Sequence, residues 1–141
     1  MKSTKKVMCS LALVCQITAI VLEALPYSAV LIFAPGPNER ITKTFSYFSL
    51  DPFGYANFFP LPTALLTVAV TALCLISLIT KTGMLKLHKA AFICSIIAVV
   101  FSIMPLLLLG GAYMSSAGYA ISALLLVSVV FQALANRRQN I

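Results

Sequence analysis

Charged side chains are scarce in this sequence. They make up 9% of its 141 residues, and only three of them are acidic. Soluble domains carry about 25% charged and roughly 45 to 50% apolar residues, whereas 61% of this chain is hydrophobic. The composition therefore predicts an integral membrane protein.

Catalytic and metal-binding signatures are also lacking. The sequence contains no G-x-G-x-x-G, P-loop, H-E-x-x-H or G-x-S-x-G pattern. Its single histidine, His88, follows Leu87 and precedes Lys89, with no Cys, Asp or Glu beside it. We interpret His88 as a solvated residue of a basic turn, and we expect no enzyme activity, no metal site and no cofactor.

Cysteine is absent from the segment 34–60, which we predict to lie outside the cell. The four cysteines lie in or beside apolar runs, at Cys9, Cys15, Cys74 and Cys94. This distribution predicts packing residues and no structural disulfide.

Four apolar runs are long enough to cross a bilayer, whose core of about 30 Å requires roughly 20 helical residues. They cover residues 7–33, 61–80, 90–109 and 115–135. Lipid offers no hydrogen-bond partners to the backbone, which favours helices. We therefore predict an all-α protein with a single domain, 1–141, in which four transmembrane helices form an antiparallel bundle and Pro26 kinks the first helix.

Basic residues predict the orientation of these helices. Eight of them flank one set of helix ends: Lys2, Lys5, Lys6, Lys81, Lys86, Lys89, Arg137 and Arg138. The other side has only Arg40 and Lys43. Because cytoplasmic loops are enriched in Lys and Arg, both termini should be cytoplasmic in a multi-pass protein of the cell membrane. The net charge of +7 then reflects topology and contact with the lipid bilayer, and we expect no nucleic-acid partner.

The long external loop between helices 1 and 2, residues 34–60, is rich in aromatic residues. They are Phe45, Tyr47, Phe48, Phe53, Tyr55, Phe58 and Phe59. Aromatic rings favour the membrane–water interface, and prolines 52 and 60 prevent a continuous helix. Two interpretations stay open: the rings cap the outer ends of the helices, or they form a docking surface for a partner or a lid over a ligand.

Each apolar run has one face of small and polar residues. In the first run, Ala12, Gln16, Ala19, Glu23 and Tyr27 recur at steps of three or four, which places them on one side of a helix. The other runs contain Thr63, Thr67, Thr71 and Cys74, then Ser95, Ala98 and Ser102, then Ser115, Gly118 and Ser122. Small residues allow helices to approach closely, so these faces predict the core of the bundle.

Glu23 is the acidic residue within a predicted span, where a charge costs roughly 2.5 to 3.5 kcal/mol. The helical rise places it near the level of Thr67, Ser102 and Ser122, with Tyr27 above it and Gln16 below. We predict that these six residues form an intramembrane polar site. Glu23 is either satisfied by hydroxyls, or by Arg40 or Lys43, or it binds an ion, a proton or a cationic ligand.

Two functions follow from these features. The first is a small non-enzymatic membrane protein that acts by assembly with itself or with a larger membrane partner. The alternative is a small transporter or a ligand-binding or ion-binding bundle centred on Glu23.

Overall fold

The computed structural model describes residues 2–51, 57–79 and 84–137. The chain is mostly helical. Its helices are α1 (Lys2–Ala24), α2 (Pro60–Ile79), α3 (Met84–Leu108) and α4 (Ser116–Arg137). A hairpin of two strands, β1 (Ala29–Gly36) and β2 (Glu39–Phe45), lies between α1 and α2, and a short 3₁₀ turn (Gly111–Tyr113) precedes α4.

Each of the four helices contains a stretch that is long and apolar enough to cross a membrane. These stretches cover Lys6–Ala24, Pro60–Ile79, Lys86–Leu108 and Ser116–Arg137. The number of predicted helices is thus confirmed, and their length and composition are those of a multi-pass membrane protein.

The first helix ends earlier than the sequence predicts. Residues 25–33 were predicted to continue the span, but α1 ends at Ala24 and residues 29–36 form β1. Pro26 has no backbone N–H and its ring crowds the preceding turn, so the helix ends before this residue instead of bending at it. The all-α prediction is wrong to this extent, because much of the predicted loop 34–60 belongs to a hairpin.

The hairpin pairs Ala29 with Phe45, Leu31 with Lys43 and Phe33 with Ile41, and its register shifts between Phe33 and Gly36. The beginning of β1 is buried, with Leu31 only 1% exposed. By contrast, β2 is exposed over residues 39–44. The first strand therefore anchors the hairpin to the bundle, and the second faces away.

The helices form a bundle in which α1 packs against α2 and α4, and α3 packs against the same two helices. Helices α1 and α2 run in opposite directions, since Glu23 near the end of α1 contacts Thr67 in the first half of α2. The same holds for α3 and α4, since Ser102 near the end of α3 contacts Ser122 in the first half of α4. We call the end of the bundle that contains the hairpin the hairpin end, and the opposite end, with Lys6 and Arg137, the terminal end.

Alanines allow the helices to pack closely at the hairpin end. Ala19, Ala64 and Ala98, from three different helices, are each 0% exposed and belong to one cluster with Ile121 and Leu125. A side chain as small as a methyl group allows helix backbones to approach closely, which matters in lipid because the hydrophobic effect does not drive helices together there. The predicted face of small residues is therefore the contact surface between helices.

Candidate functional site

The carboxyl group of Glu23 is completely buried between α1 and α2. Its Oε1 atom lies 2.8 Å from Thr67 Oγ1, and the residue is 0% exposed. Its Oε2 atom is buried and has no hydrogen-bond partner among the described residues. The face that the sequence predicts for α1 places this group inside the bundle, since Ala12, Gln16 and Ala19 are also fully buried.

A turn that follows the hairpin packs on the last turn of α1. The backbone oxygen of Glu23 accepts hydrogen bonds from the N–H of Tyr47 at 2.9 Å and from the Ser46 hydroxyl at 3.0 Å. These bonds satisfy a carbonyl that the end of the helix would leave without a partner. Glu23 thus joins α1, α2 and the turn at residues 46–49.

Tyr47 inserts its ring into the core at the hairpin end, where it is 4% exposed. Burial raises the pKa of its phenol above the ordinary value. The phenol is therefore a neutral group at physiological pH. A Cβ at Gly118 of α4 would lie 3.3 Å from the phenol oxygen and 3.3 Å from Met114 Cγ, so a larger residue there would require these side chains to shift slightly.

The remaining residues of the predicted site do not all reach Glu23. Ser102 and Ser122 are hydrogen-bonded to each other, and the Ser122 hydroxyl also donates to the Gly118 carbonyl at 3.0 Å. Tyr27 lies beyond the end of α1 and is 54% exposed, because the helical spacing that would place it above Glu23 stops at Ala24.

Gln16 belongs to a separate polar network nearer the middle of the bundle. Its Nε2 donates to Ser128 Oγ at 2.9 Å, and Gln132 Nε2 donates to Ser95 Oγ at 2.8 Å and to Ser128 Oγ at 3.2 Å. The sequence analysis missed Ser128 and Gln132. They continue the helical face of Gly118 through Ile121 and Leu125 at steps of three and four residues, so extending that periodicity along α4 would have found them.

Neither basic residue of the hairpin provides a charge for Glu23. Arg40 and Lys43 are exposed on β2, and the ammonium group of Lys43 lies 5.9 Å from the centroid of the Phe33 ring. Of the partners predicted for Glu23, the Thr67 hydroxyl is the one that lies within hydrogen-bonding distance of Oε1, while Oε2 has no partner in the described part of the chain.

The aromatic residues between the hairpin and α2 divide into buried and exposed rings. Tyr47 and Phe59 are 4% and 8% exposed, Phe45 is half-buried, and Phe48 and Phe58 are 37% and 46% exposed. Phe58 stacks on Phe59 at 4.4 Å between ring centroids, and Phe59 lies 6.2 Å from Phe101 of α3. Phe53 and Tyr55, which the prediction also included, lie outside the described residues. The buried rings cap the hairpin end of the bundle, while the rings of Phe48 and Phe58 remain partly exposed.

Polar contacts fix this cap to the helices. Asn57 is 1% exposed, and its side-chain amide donates to the Val30 carbonyl of β1 at 3.2 Å. The Ser115 hydroxyl donates to the Ser28 carbonyl and accepts the N–H of Gly118 at 2.9 Å, which caps the beginning of α4. Asn57 and Ser28 carried no periodic signal, because both lie outside helices.

His88 was predicted to be solvated, and this prediction is wrong. The residue is 8% exposed and lines a cavity of about 10 Å³ at the terminal end, together with Cys9, Cys74 and Gln132. It is buried because α3 already begins at Met84, so that His88 lies on the inner face of a helix. Across the residues that the structure describes, no three His, Cys, Asp or Glu side chains are grouped so that they could bind a metal.

Fold and site define a class of small protein: a bundle of four helices of membrane-spanning length with a β-hairpin and an aromatic cap at one end. Comparison with known proteins identifies no relative, since no family model, no curated protein and no solved structure matches the chain.

Proposed function

We propose that this is a small non-enzymatic protein of the cell membrane that acts by assembling with itself or with a larger membrane partner through its hairpin end. One observation carries the proposal. Strand β2 is exposed over residues 39–44 and, in the part of the chain that the structure describes, pairs only with β1. An open strand edge presents unpaired N–H and C=O groups to which another strand can add.

The charges on β2 favour pairing with a second copy in one register. An antiparallel pair centred on Ile41 places Glu39 of each copy opposite Lys43 of the other, and Ile41 opposite Ile41. A pair centred between Ile41 and Thr42 would instead oppose Arg40 and Lys43, and like charges directly opposite each other are destabilising. We therefore propose the first register for self-assembly.

The proposal places the hairpin end outside the cell and both termini in the cytoplasm. The distribution of basic residues supports this orientation, because Lys6, Lys86, Lys89 and Arg137 lie at the terminal end. The exposed rings of Phe48 and Phe58 would then lie at the outer interface, where they could contact a partner as well as lipid.

Cysteine labelling in intact cells tests the orientation. In a background whose native cysteines are replaced by alanine, cysteines introduced at Leu50 and at Thr42 should react with a membrane-impermeant thiol reagent. One at Lys89 should react only after the cells are opened. All three positions are exposed, so differences in reactivity report on the side of the membrane. Labelling of Lys89→Cys alone in intact cells would reverse the proposed orientation.

Oxidative cross-linking tests the register. In the same background, Ile41→Cys should form a disulfide-linked dimer, because a residue on the two-fold axis of an antiparallel pair faces its own copy at about 4.5 to 5.5 Å between Cα atoms. Thr44→Cys is the matched control. It lies three residues from the axis, so its two copies would be about 20 Å apart and should not cross-link.

Other outcomes separate the two forms of the proposal. Equal cross-linking at positions 41 and 44 would contradict the register. If neither position cross-links, but another membrane protein copurifies and is lost on replacement of Phe48 and Phe58 by serine, the partner is a different chain. A monomer with no copurifying protein in native membranes would contradict assembly altogether.

A second candidate function, an ion-binding bundle, is favoured by one further observation. Glu23 Oε2 is buried without a hydrogen-bond partner in the described part of the chain.

A further inference from the structure

The hydrogen bonds around Thr67 require more protons than its hydroxyl has. Thr67 Oγ1 lies 2.8 Å from Glu23 Oε1 and 2.9 Å from the backbone oxygen of Thr63. A threonine hydroxyl donates one hydrogen bond, whereas a carbonyl oxygen and an ionised carboxylate can only accept. If Glu23 were ionised, the single hydroxyl hydrogen would have to serve both acceptors, and the two short contacts could not both be full hydrogen bonds.

A neutral Glu23 removes this conflict. A carboxylic acid donates one hydrogen bond, so Glu23 Oε1–H can donate to Thr67 Oγ1, and the Thr67 hydroxyl is then free to donate to the Thr63 carbonyl. Glu23 Oε2 becomes the carbonyl oxygen of the acid. A neutral oxygen is much less costly to bury without a partner than half of a carboxylate charge.

Among the side chains that the structure describes, no positively charged one lies beside Glu23 to balance an ionised carboxylate. The other charged side chains described are exposed, and they lie on the hairpin, on the turn after it or at the terminal end: Lys6, Glu39, Arg40, Lys43, Asp51, Lys86, Lys89 and Arg137. His88 lines the cavity at the terminal end with Cys9 and Cys74. Helix α2 contains no charged residue, and the titratable group beside Glu23 is the neutral phenol of Tyr47.

A metal ion fits this site less well than a proton. Hard cations such as Ca²⁺ and Mg²⁺ require six or more oxygen ligands around them. Glu23 Oε2 has no polar neighbour within hydrogen-bonding distance in the described part of the chain, and Thr67 provides the single side-chain partner of Oε1.

We propose that Glu23 is a proton-binding site, which holds its proton on Oε1 between α1 and α2 in the folded protein. The inference narrows the second candidate function to a particular ion and does not depend on assembly. Loss of the proton would weaken one of the two Thr67 contacts and add a negative charge directly beneath the turn at residues 46–49. Binding or loss of this proton would therefore change the charge next to the turn that follows the hairpin and packs on α1.

Infrared spectroscopy can read the protonation state of Glu23 directly. The chain contains only two glutamates, so Glu39→Gln protein grown with carboxyl-¹³C-glutamate has Glu23 as its single labelled carboxyl group. Glu39 is exposed on β2, so we expect its replacement to leave the helix bundle intact. In lipid vesicles at about neutral pH, an ordinary glutamate with a pKa near 4.3 shows a carboxylate band. We expect the labelled group of this variant to show the C=O band of a protonated acid.

Three further variants assign the band and locate the proton. Glu23→Gln protein, with Glu39 retained and labelled, should show only the carboxylate band. In the Glu39→Gln background, Thr67→Val removes the hydroxyl that accepts the hydrogen bond from Glu23 and should shift the acid band, whereas Thr67→Ser retains a hydroxyl and should leave the band in place. A carboxylate band from Glu23 at neutral pH would overturn the proposal. An acid band that Thr67→Val does not move would overturn the placement of the proton on Oε1.

Discussion

Replacing Phe59 with alanine should lower the free energy of unfolding by about 3 kcal/mol, a typical cost for removing a buried phenyl ring. Phe59 is 8% exposed, lies immediately before α2 and packs against Phe101 of α3. Its removal would leave a cavity between the cap and two helices, which the rigid ends of those helices cannot close. Reversible unfolding of the purified protein in mixed micelles would measure the change.

Phe58 provides a matched control for this effect, because it is the adjacent residue, has the same side chain and is 46% exposed. Phe58→Ala should cost less than about 1 kcal/mol, since much of its ring is already outside the core. Similar losses of unfolding free energy for the two variants would show that the two rings do not differ in burial and would contradict the buried position of Phe59.

Enlarging Ala98 to leucine should destabilise the protein by about 3 kcal/mol or prevent folding. Ala98 is 0% exposed and lies in the cluster that also contains Ala19, Ala64 and Tyr47. Three added carbon atoms have no space between these backbones and would separate α3 from its neighbours. The fraction of monodisperse protein after extraction, and its unfolding midpoint, would report the effect.

Ala90→Leu is the control for overpacking, because it makes the same change in the same helix at an exposed position. It should leave stability within about 0.5 kcal/mol of the original protein, as is usual for surface substitutions. If the Ala98→Leu protein were as stable as the Ala90→Leu protein, this would contradict the close packing of the helices at Ala98.

The sequence predicts those parts of the fold that follow from the length of an apolar run and from the helical periodicity of its residues. Apolar runs of about 20 residues predict helices because backbone hydrogen bonding in lipid leaves few alternatives. The steps of three and four from Ala12 to Glu23 predict a buried face, since side chains at this spacing share one side of a helix. Both signals are local, and neither depends on which helices are neighbours.

The hairpin and the end of α1 were not predicted, for physical reasons that can be named. The run Ala29–Phe33 is as apolar as a membrane span, but β1 is buried against the bundle, so its composition resembles that of the helix before it. The strand is recognised only through its pairing with β2, which is a nonlocal property. Similarly, His88 was assigned to a basic turn because its neighbours are charged, although its own position falls on the inner face of α3.

The hydrogen bonds between helices join residues that are made at different times during synthesis of the chain. Glu23 meets its partner on α2 only after 44 further residues have been made, and Gln16 meets Ser128 of α4 only after 112. During synthesis α1 would precede both partners into the lipid and carry two polar side chains that α2 and α4 later enclose. The two buried polar side chains of α1 therefore gain their partners only when α2 and α4 have been made.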